Sequence, residues 1–177
     1  TGIASDGKGF DIAVLRYNSN GSLDTTFDGD GIVVTALKGA DFGLSLALQA
    51  DGKIVVSGVS NTISKSGMAL LRYMSNGALD TTMAGTGYTV LDIGGLGCQS
   101  YSMALQPDGK IVLAGYVFLG VGSYNFATVR LRTDGQLDIP ISPFAQGIGA
   151  TRLQAELPNL QGEGITVAVV DSGIADV

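Results

Sequence analysis

The sequence of 177 residues contains no histidine and no tryptophan, and cysteine occurs only once, at Cys98. Without histidine the chain has no imidazole to act as a general base, to ligate a metal or to complete a Ser–His–Asp triad. We therefore predict that the chain is not an enzyme and that it holds no cofactor and no metal. A single cysteine cannot form a disulfide within the chain, and we expect Cys98 to be a small buried apolar side chain.

Charge is also scarce, because charged residues make up 15% of the chain and the net charge is −6. Nucleic-acid-binding proteins present a basic patch, whereas the 10 basic residues here are scattered along an acidic chain, so we expect no nucleic-acid partner. No apolar run approaches the roughly 18 residues that span a bilayer, so we expect no membrane insertion. Hydrophobic residues make up 45%, which is enough for a packed core.

The main positive feature of the sequence is an internal repeat with a period of about 57 residues. The matching segments keep one order in every copy: 13–17, 20–27 and 46–56 in the first, 69–73, 76–83 and 103–113 in the second, and 127–131 and 134–138 in the third. The match stops after Asp138. The segment at residues 2–3 aligns with residues 58–59, so we expect Thr1 to lie within a strand and the chain to be a fragment of a longer protein.

Each full copy predicts four short strands that are rich in Val, Ile, Leu and Tyr. They are residues 11–18, 32–37, 44–49 and 53–59 in the first copy, and 68–74, 88–93, 102–106 and 110–118 in the second. Asn-Gly and Asp-Gly dipeptides border several of these runs and favour tight hairpin turns. Residues 53–59 are apolar on both faces, which indicates a sheet that is covered on both sides.

Four antiparallel strands per repeat, packed between neighbouring repeats, are typical of a propeller blade. The fold class that we predict is all-β: a partial β-propeller of about two and a half four-stranded blades, with a short C-terminal helix-plus-strand extension. A β-solenoid or another stacked β array is the alternative.

The repeat resembles the delta-60 repeat of large bacterial extracellular proteins. The residues that carry the resemblance are Ala-x-x-Arg-Tyr-x-x-Asn-Gly-x-Leu-Asp-Thr-Thr-Phe from residue 13, Asp-Gly-Ile-Val from residue 30, and Asp-Gly-Lys-Ile-Val-Val-x-Gly from residue 51. The resemblance covers residues 1–138. It implies a β-propeller without a known set of catalytic residues, located outside the cell or at the bacterial cell surface.

An arginine and an aspartate recur at fixed positions of the repeat, as Arg16, Arg72 and Arg130 and as Asp24, Asp80 and Asp138. The arginines could form a ring that faces a ligand channel, or they could pair with the repeated aspartates and stabilise each blade. We favour the second interpretation, because a residue repeated in every blade usually serves the blade.

Three glycine-rich segments resemble ligand-binding loops. Residues 28–31 (Asp-Gly-Asp-Gly) resemble half of a calcium loop, but no glutamate follows at the required spacing and the second copy lacks the carboxylates, so we interpret them as a tight turn. Residues 94–97 and 147–149 lack the lysine and the strand–loop–helix context of a phosphate-binding loop.

The composition changes after residue 138. Residues 139–149 are predicted to be a linker, residues 151–157 a short helix and residues 165–170 a buried parallel strand. Residues 162–174 resemble the opening of a subtilisin-like serine peptidase domain, which would occupy residues 150–177. The resemblance implies that Asp171 corresponds to the aspartate that orients the catalytic histidine, but this chain has no histidine to orient.

Two functions remain open at this point. The first is a non-catalytic structural or interaction module of a large secreted protein associated with a subtilisin-like peptidase. The second is a self-assembling subunit that completes its β-edges between chains, as a closed oligomer or an extracellular filament. In both cases we expect the partners to be other protein chains that bind at exposed β-edges.

Overall fold

The computed structural model describes residues 1–5, 9–37, 39–62 and 64–140. The chain divides into two units, residues 1–145 and 146–177, and every described residue belongs to the first unit. The predicted helix and strand of residues 150–177 therefore lie outside the described residues, as does most of the predicted linker. Among the described residues there is no helix long and apolar enough to cross a membrane.

The described part of the chain is all-β, as predicted, and contains eleven strands. They are β1 (Gly2–Ser5), β2 (Phe10–Leu15), β3 (Ile32–Thr35), β4 (Ala40–Leu48), β5 (Ile54–Asn61), β6 (Ser66–Tyr73), β7 (Tyr88–Leu91), β8 (Gly97–Leu105), β9 (Ile111–Gly120), β10 (Ser123–Leu131) and β11 (Leu137–Pro140). Val, Ile, Leu and aromatic residues dominate these segments, and such residues pack well on a pleated surface.

The strands form three antiparallel sheets, with the orders β1-β2-β3, β4-β5-β6-β7 and β8-β9-β10-β11. We call these sheets blade 1, blade 2 and blade 3. Consecutive strands along the chain pair with each other, so each blade is a meander. Blade 2 combines the end of the first copy of the repeat with the beginning of the second. The arrangement is that of a partial β-propeller.

Blade 2 is covered on both faces, as the apolar run at residues 53–59 indicated. Every residue of β6 except the first is buried, and so is every residue of β5 except the last. One core lies between blades 1 and 2 and contains Ile12, Val14, Phe27, Val33, Ile54, Val56, Ala69, Leu71 and Tyr73. The other lies between blades 2 and 3 and contains Val55, Met68, Leu70, Met83, Leu91, Cys98, Ile111, Leu113, Val117, Ala127, Val129 and Leu131.

Two strands begin earlier than the sequence predicted. β4 begins at Ala40 rather than at residue 44, and β8 begins at Gly97 rather than at residue 102. In both strands the pairing register shifts near the middle, which marks a β-bulge. A Cβ on Gly58 would lie 1.8 Å from the carbonyl oxygen of Phe42, so the backbones approach closely at this point. The residues before each bulge include glycine, which in a sequence favours a loop, and this explains the difference.

Blade 3 ends differently from the other two blades. In blades 1 and 2 the chain makes a long turn before it returns as the last strand of the sheet, β3 or β7. In blade 3 the segment Leu137–Pro140 pairs with β10 directly, with Arg130 opposite Ile139. The repeat is lost after Asp138, and β11 takes the place of the returning strand at the edge of the sheet.

Candidate interaction site: the contacts between blades

The repeated arginine and aspartate form an ion pair in every blade. The Nε atom of the arginine donates to Oδ2 of the aspartate at 2.8 Å for Arg16–Asp24, 2.7 Å for Arg72–Asp80 and 2.9 Å for Arg130–Asp138. The predicted pairing of the repeated arginine with the repeated aspartate is confirmed. A threonine two positions after the aspartate adds a second contact, since Nη2 of Arg72 donates to Thr82 Oγ1 at 3.0 Å.

The same arginine also contacts the next blade, a contact that the repeat pattern did not indicate. Nη1 of Arg72 donates to the carbonyl oxygen of Thr133 at 2.5 Å, and Nη1 of Arg16 donates to the carbonyl oxygen of Ser75. Both carbonyls precede the Asn-Gly or Asp-Gly turn of the following blade. The fixed spacing of arginine and turn along the repeat was the only available signal, and it does not reveal a contact between blades.

A backbone hydrogen bond reinforces this contact. The amide of Asp28 donates to the carbonyl of Asn76 at 2.8 Å, and the amide of Ala84 donates to the carbonyl of Asp134 at 2.9 Å. Asp28 and Ala84 both adopt a left-handed backbone, with φ of 53° and 54°. This conformation is unfavourable for alanine, so the two repeats hold the same strained turn against the next blade.

We call this set of contacts the inter-blade clasp: the arginine, the aspartate, the threonine and the left-handed residue of one blade, and the two turn carbonyls of the next. The segment Asp28–Gly31 is therefore a tight turn within the clasp. The carboxylate of Asp30 accepts a hydrogen bond from the amide of Ile32 at 2.8 Å. No three His, Cys, Asp or Glu residues in the described ranges lie together in a way that could hold a metal ion.

In blades 2 and 3 the lysine of the Asp-Gly-Lys segment joins the ion pair. Nζ of Lys53 lies 3.1 Å from Oδ2 of Asp80, and Nζ of Lys110 lies 3.2 Å from Oδ2 of Asp138. Burial raises the pKa of Asp80, but hydrogen bonds from Thr82 and Lys53 outweigh it and hold that pKa well below its usual range. The pKa of Asp138 is also lowered, first by the hydrogen bond from Lys110.

One pair of core positions is polar in one interface and apolar in the other. Between blades 1 and 2, the hydroxyl of Tyr73 and Oγ1 of Thr35 form a buried hydrogen bond of 2.7 Å. Between blades 2 and 3, the corresponding residues are Leu91 and Leu131, which belong to one apolar cluster. Burial of Tyr73 raises the pKa of its phenol to about 12. At this position, therefore, the two residues that face each other are both polar in one interface and both apolar in the other.

Blade 1 presents to solvent a face that is covered in the other blades. Leu15 is 38% exposed, whereas the corresponding Leu71 is fully buried. Tyr17 is 58% exposed, whereas the corresponding Tyr73 is fully buried. Both tyrosines form the same isolated bridge, to Leu23 and Leu79 respectively, so their backbones are equivalent and only the neighbouring blade differs.

Blade 3 exposes an aromatic patch at the opposite end of the described stack. Tyr124 and Phe126 are 61% and 58% exposed. The Tyr124 ring lies 5.1 Å from that of Tyr116 and 5.0 Å from that of Phe118. The corresponding position to Phe126 in blade 2 is Met68, which is fully buried beneath blade 3. Both ends of the stack therefore expose apolar faces.

The predictions for Cys98, for the glycine-rich segments and for Asp171 can be compared with the structure in turn. Cys98 is buried, as expected, and its Sγ lies 3.3 Å from the carbonyl oxygen of Leu91. Gly94 and Gly95 form a turn that leads into a strand, which differs from the turn-to-helix geometry of a phosphate-binding loop. Asp171 and residues 147–149 lie outside the described residues, so the implied role of Asp171 remains a prediction.

A family model described as a beta-propeller domain of unknown function (DUF5122) matches residues 2–27, 49–82 and 106–138. Together these ranges cover just over half of the chain, and each of them lies within one blade. The chain belongs to this β-propeller family. A comparison with curated proteins gave no match.

Proposed function

We propose that this chain is a non-catalytic structural and interaction module that binds other protein segments through the outer faces of its blade stack. The observation that carries the proposal is the contrast between equivalent residues: Tyr17 and Leu15 are exposed, whereas Tyr73 and Leu71 are buried by a neighbouring blade. Exposed apolar patches of this kind are typical of interaction surfaces.

The absence of catalysis forms part of the same proposal. The sequence has no histidine, and the repeated Arg–Asp pairs are engaged in contacts within and between blades. In a functional site one expects titratable groups that converge on a cleft. Here the acidic residues with a lowered pKa instead accept hydrogen bonds from neighbouring lysines, arginines or backbone amides of the stack.

We further propose that the module acts outside the cell or at the bacterial cell surface, within a large secreted protein associated with a subtilisin-like peptidase. The support is the resemblance of residues 1–138 to the delta-60 repeat and of residues 162–174 to the start of a subtilisin-like domain. In such a protein Asp171 would belong to the peptidase, and residues 1–138 would have a separate, non-catalytic role.

A second candidate function is self-assembly, in which chains join through their end faces as a closed oligomer or a filament. The observation that favours it is that both ends of the described stack expose apolar side chains, including Tyr17 on blade 1 and Phe126 on blade 3. A contact between two different faces of identical chains can repeat, and it produces rings or open filaments.

The solution mass of the purified chain, measured by size-exclusion chromatography with light scattering over a concentration series, separates the two candidates. A monomer supports the interaction module. An oligomer that dissociates with Tyr17→Glu or Phe126→Glu, and persists with the control Ser22→Glu on an exposed turn, supports self-assembly. An oligomer that neither end-face substitution affects contradicts a role for the end faces. Hydrolysis of labelled casein that is lost with Asp171→Ala contradicts the non-catalytic proposal.

A further inference from the structure

Two loops at one end of blade 3 present aliphatic side chains to solvent. The hairpin between β9 and β10 carries Val121, which is fully exposed, and Leu119 beside it is 41% exposed. The loop between β7 and β8 carries Leu96, which is 61% exposed. The amide of Leu96 donates to the carbonyl of Phe118 at 2.7 Å, so the two loops are joined. We call Leu96, Leu119 and Val121 the apolar tip.

Glycines shape both loops of the apolar tip. Gly120 and Gly122 flank Val121 and have φ of 132° and 72°, and Gly95 in the other loop has φ of 71°. Residues with a side chain rarely adopt such a positive φ. A Cβ on Gly95 would lie 2.5 Å from the carbonyl oxygen of Phe118, so this loop is packed closely on the end of β9. The two turns therefore require glycine, and the aliphatic side chains between the glycines stay exposed on a closely packed backbone.

The exposure of the apolar tip does not depend on a neighbouring blade. The tip lies at the end of the strands, whereas the blades pack against each other through their sheet faces. Blade 2 is covered on both faces, and Ser64 in its equivalent hairpin between β5 and β6 is still exposed. That hairpin differs in its chemistry, because Lys65 pairs with Asp92 at 2.6 Å, whereas the tip of blade 3 consists of aliphatic side chains.

The apolar tip lies in the least charged part of the chain. Residues 93–107 and 111–129 contain no charged side chain, so a charged partner would gain no ion pair here. Close to the apex of the hairpin, the ring of Tyr124 lies 5.0 Å from that of Phe118. An aliphatic apex next to a tyrosine, without charge, suits the interface of a lipid bilayer, where aliphatic groups enter the acyl boundary and tyrosine lies at the level of the headgroups.

We propose that the apolar tip of blade 3 inserts into the interface of a lipid bilayer whose headgroups have no net charge. The sequence contains no apolar run long enough to span a bilayer, and the tip requires none, because it combines residues from two separate loops. Neutral headgroups follow from the charge, since the tip offers no cation to anionic lipids and the net charge of the chain is −6. The inference goes beyond the proposed binding of protein segments by the end faces and does not depend on it.

The absence of tryptophan from the chain provides a direct test, because a Val121→Trp variant has a single indole, at the apex of the hairpin. Its fluorescence emission is measured on the full chain, alone, with phosphatidylcholine vesicles, and with vesicles whose acyl chains carry bromine as a quencher. We expect the vesicles to shift the emission to the blue and the brominated chains to quench it. Ser64→Trp, in the equivalent hairpin of blade 2, is the matched control and should show neither effect.

Co-sedimentation with phosphatidylcholine vesicles measures the partition of the unsubstituted chain. Val121→Asp should lower the partition coefficient about tenfold, because a charged side chain replaces an aliphatic one at the lipid surface. Ser64→Asp should leave it unchanged, and circular dichroism checks that each variant is folded. Replacement of part of the phosphatidylcholine by phosphatidylserine should weaken the binding, because chain and lipid are then both negatively charged.

Each contrary result would overturn the inference. Emission of Val121→Trp that vesicles do not shift, or equal partition of Val121→Asp and the unsubstituted chain, would show that the tip does not enter lipid. A blue-shifted emission without vesicles would show that protein covers the tip: a second copy if the shift grows with concentration, and another part of this chain if it does not. Binding only to vesicles with phosphatidylserine would show an electrostatic attraction instead. None of these results affects the end faces, which the solution mass tests.

Discussion

The two interfaces of the stack share one backbone arrangement and differ in their side chains. Both have an arginine bound to a turn carbonyl of the next blade, and both have a left-handed residue that donates its amide to the same turn. The interface between blades 1 and 2 adds a polar Tyr–Thr pair, whereas the interface between blades 2 and 3 is apolar at that position. The clasp contacts are therefore the same in both interfaces, whereas the core side chains differ.

The clasps also differ in burial. The side chains of Arg72 and Asp80 are 6% and 3% exposed, whereas those of Arg16 and Asp24 are 30% and 21% exposed. Water screens a partly exposed ion pair, and such pairs contribute little to stability. Removal of one partner of a buried pair leaves the other charge without compensation. Substitutions in the clasp between blades 2 and 3 should therefore lower the stability more than the same substitutions in the clasp between blades 1 and 2.

The largest effect is expected from Arg72→Ala. It removes one of the two cationic partners of the buried Asp80 carboxylate, leaving Lys53, and it removes the hydrogen bond to the Thr133 carbonyl, so we expect a loss of about 2 kcal/mol in the free energy of unfolding. The matched substitution Arg16→Ala should have a clearly smaller effect. Urea denaturation followed by circular dichroism measures both, and equal losses would show that burial does not distinguish the two clasps.

The second largest effect is expected at acid pH, which should weaken the clasp between blades 2 and 3. The pKa of Asp80 is lower in the folded chain than the ordinary carboxyl value of 3.8, so its stabilising contribution is complete above that value. The contribution is lost as the pH falls below about 3.8 and the unfolded state takes up the proton first. Urea midpoints between pH 6 and pH 2.5 should therefore fall less steeply for Asp80→Asn than for the unsubstituted chain. Parallel curves would show that Asp80 does not contribute to the acid sensitivity.

The repeat, the strand content and the covered middle blade could all be predicted from the sequence. Fixed offsets between similar segments set the blade period, and the two-sided apolar run at residues 53–59 indicated a sheet buried on both faces. The Arg–Asp pairing could be predicted as well, because both residues recur together. Each of these features depends on a local residue pattern, and a pattern that recurs at a fixed offset can be recognised in the sequence.

The contacts between blades could not be predicted. The acceptors of the arginine Nη1 atoms are backbone carbonyls, at Ser75 and Thr133, and a backbone group leaves no residue-type signal. The early part of β4 was missed because Gly43 and its neighbours resemble a loop, although a Cβ on the facing Gly58 would meet the backbone of β4. The early part of β8 was missed for the same reason.

The polar pair between blades 1 and 2 offers a more selective comparison. Tyr73→Phe removes the partner of the Thr35 hydroxyl and should destabilise the chain by about 1 kcal/mol, as expected for one buried hydrogen bond. The double substitution Tyr73→Phe with Thr35→Val makes this position apolar, like the equivalent Leu131 and Leu91 between blades 2 and 3, and should recover most of that loss. Denaturation of all three variants tests this, and a double variant less stable than Tyr73→Phe would contradict the exchange of polar for apolar partners.

The smallest effect concerns the turn that the two clasps share. Ala84 and Asp28 hold nearly the same left-handed backbone, with φ of 54° and 53°, but aspartate tolerates this conformation better than alanine. Ala84→Gly should therefore stabilise the chain by about 0.5 kcal/mol, after the greater backbone freedom of glycine in the unfolded state is subtracted. Asp28→Gly should give less gain or none. Because the amide of residue 84 still donates to Asp134 in the variant, a loss of stability on Ala84→Gly would mean that the alanine methyl, rather than the backbone, holds this turn against blade 3.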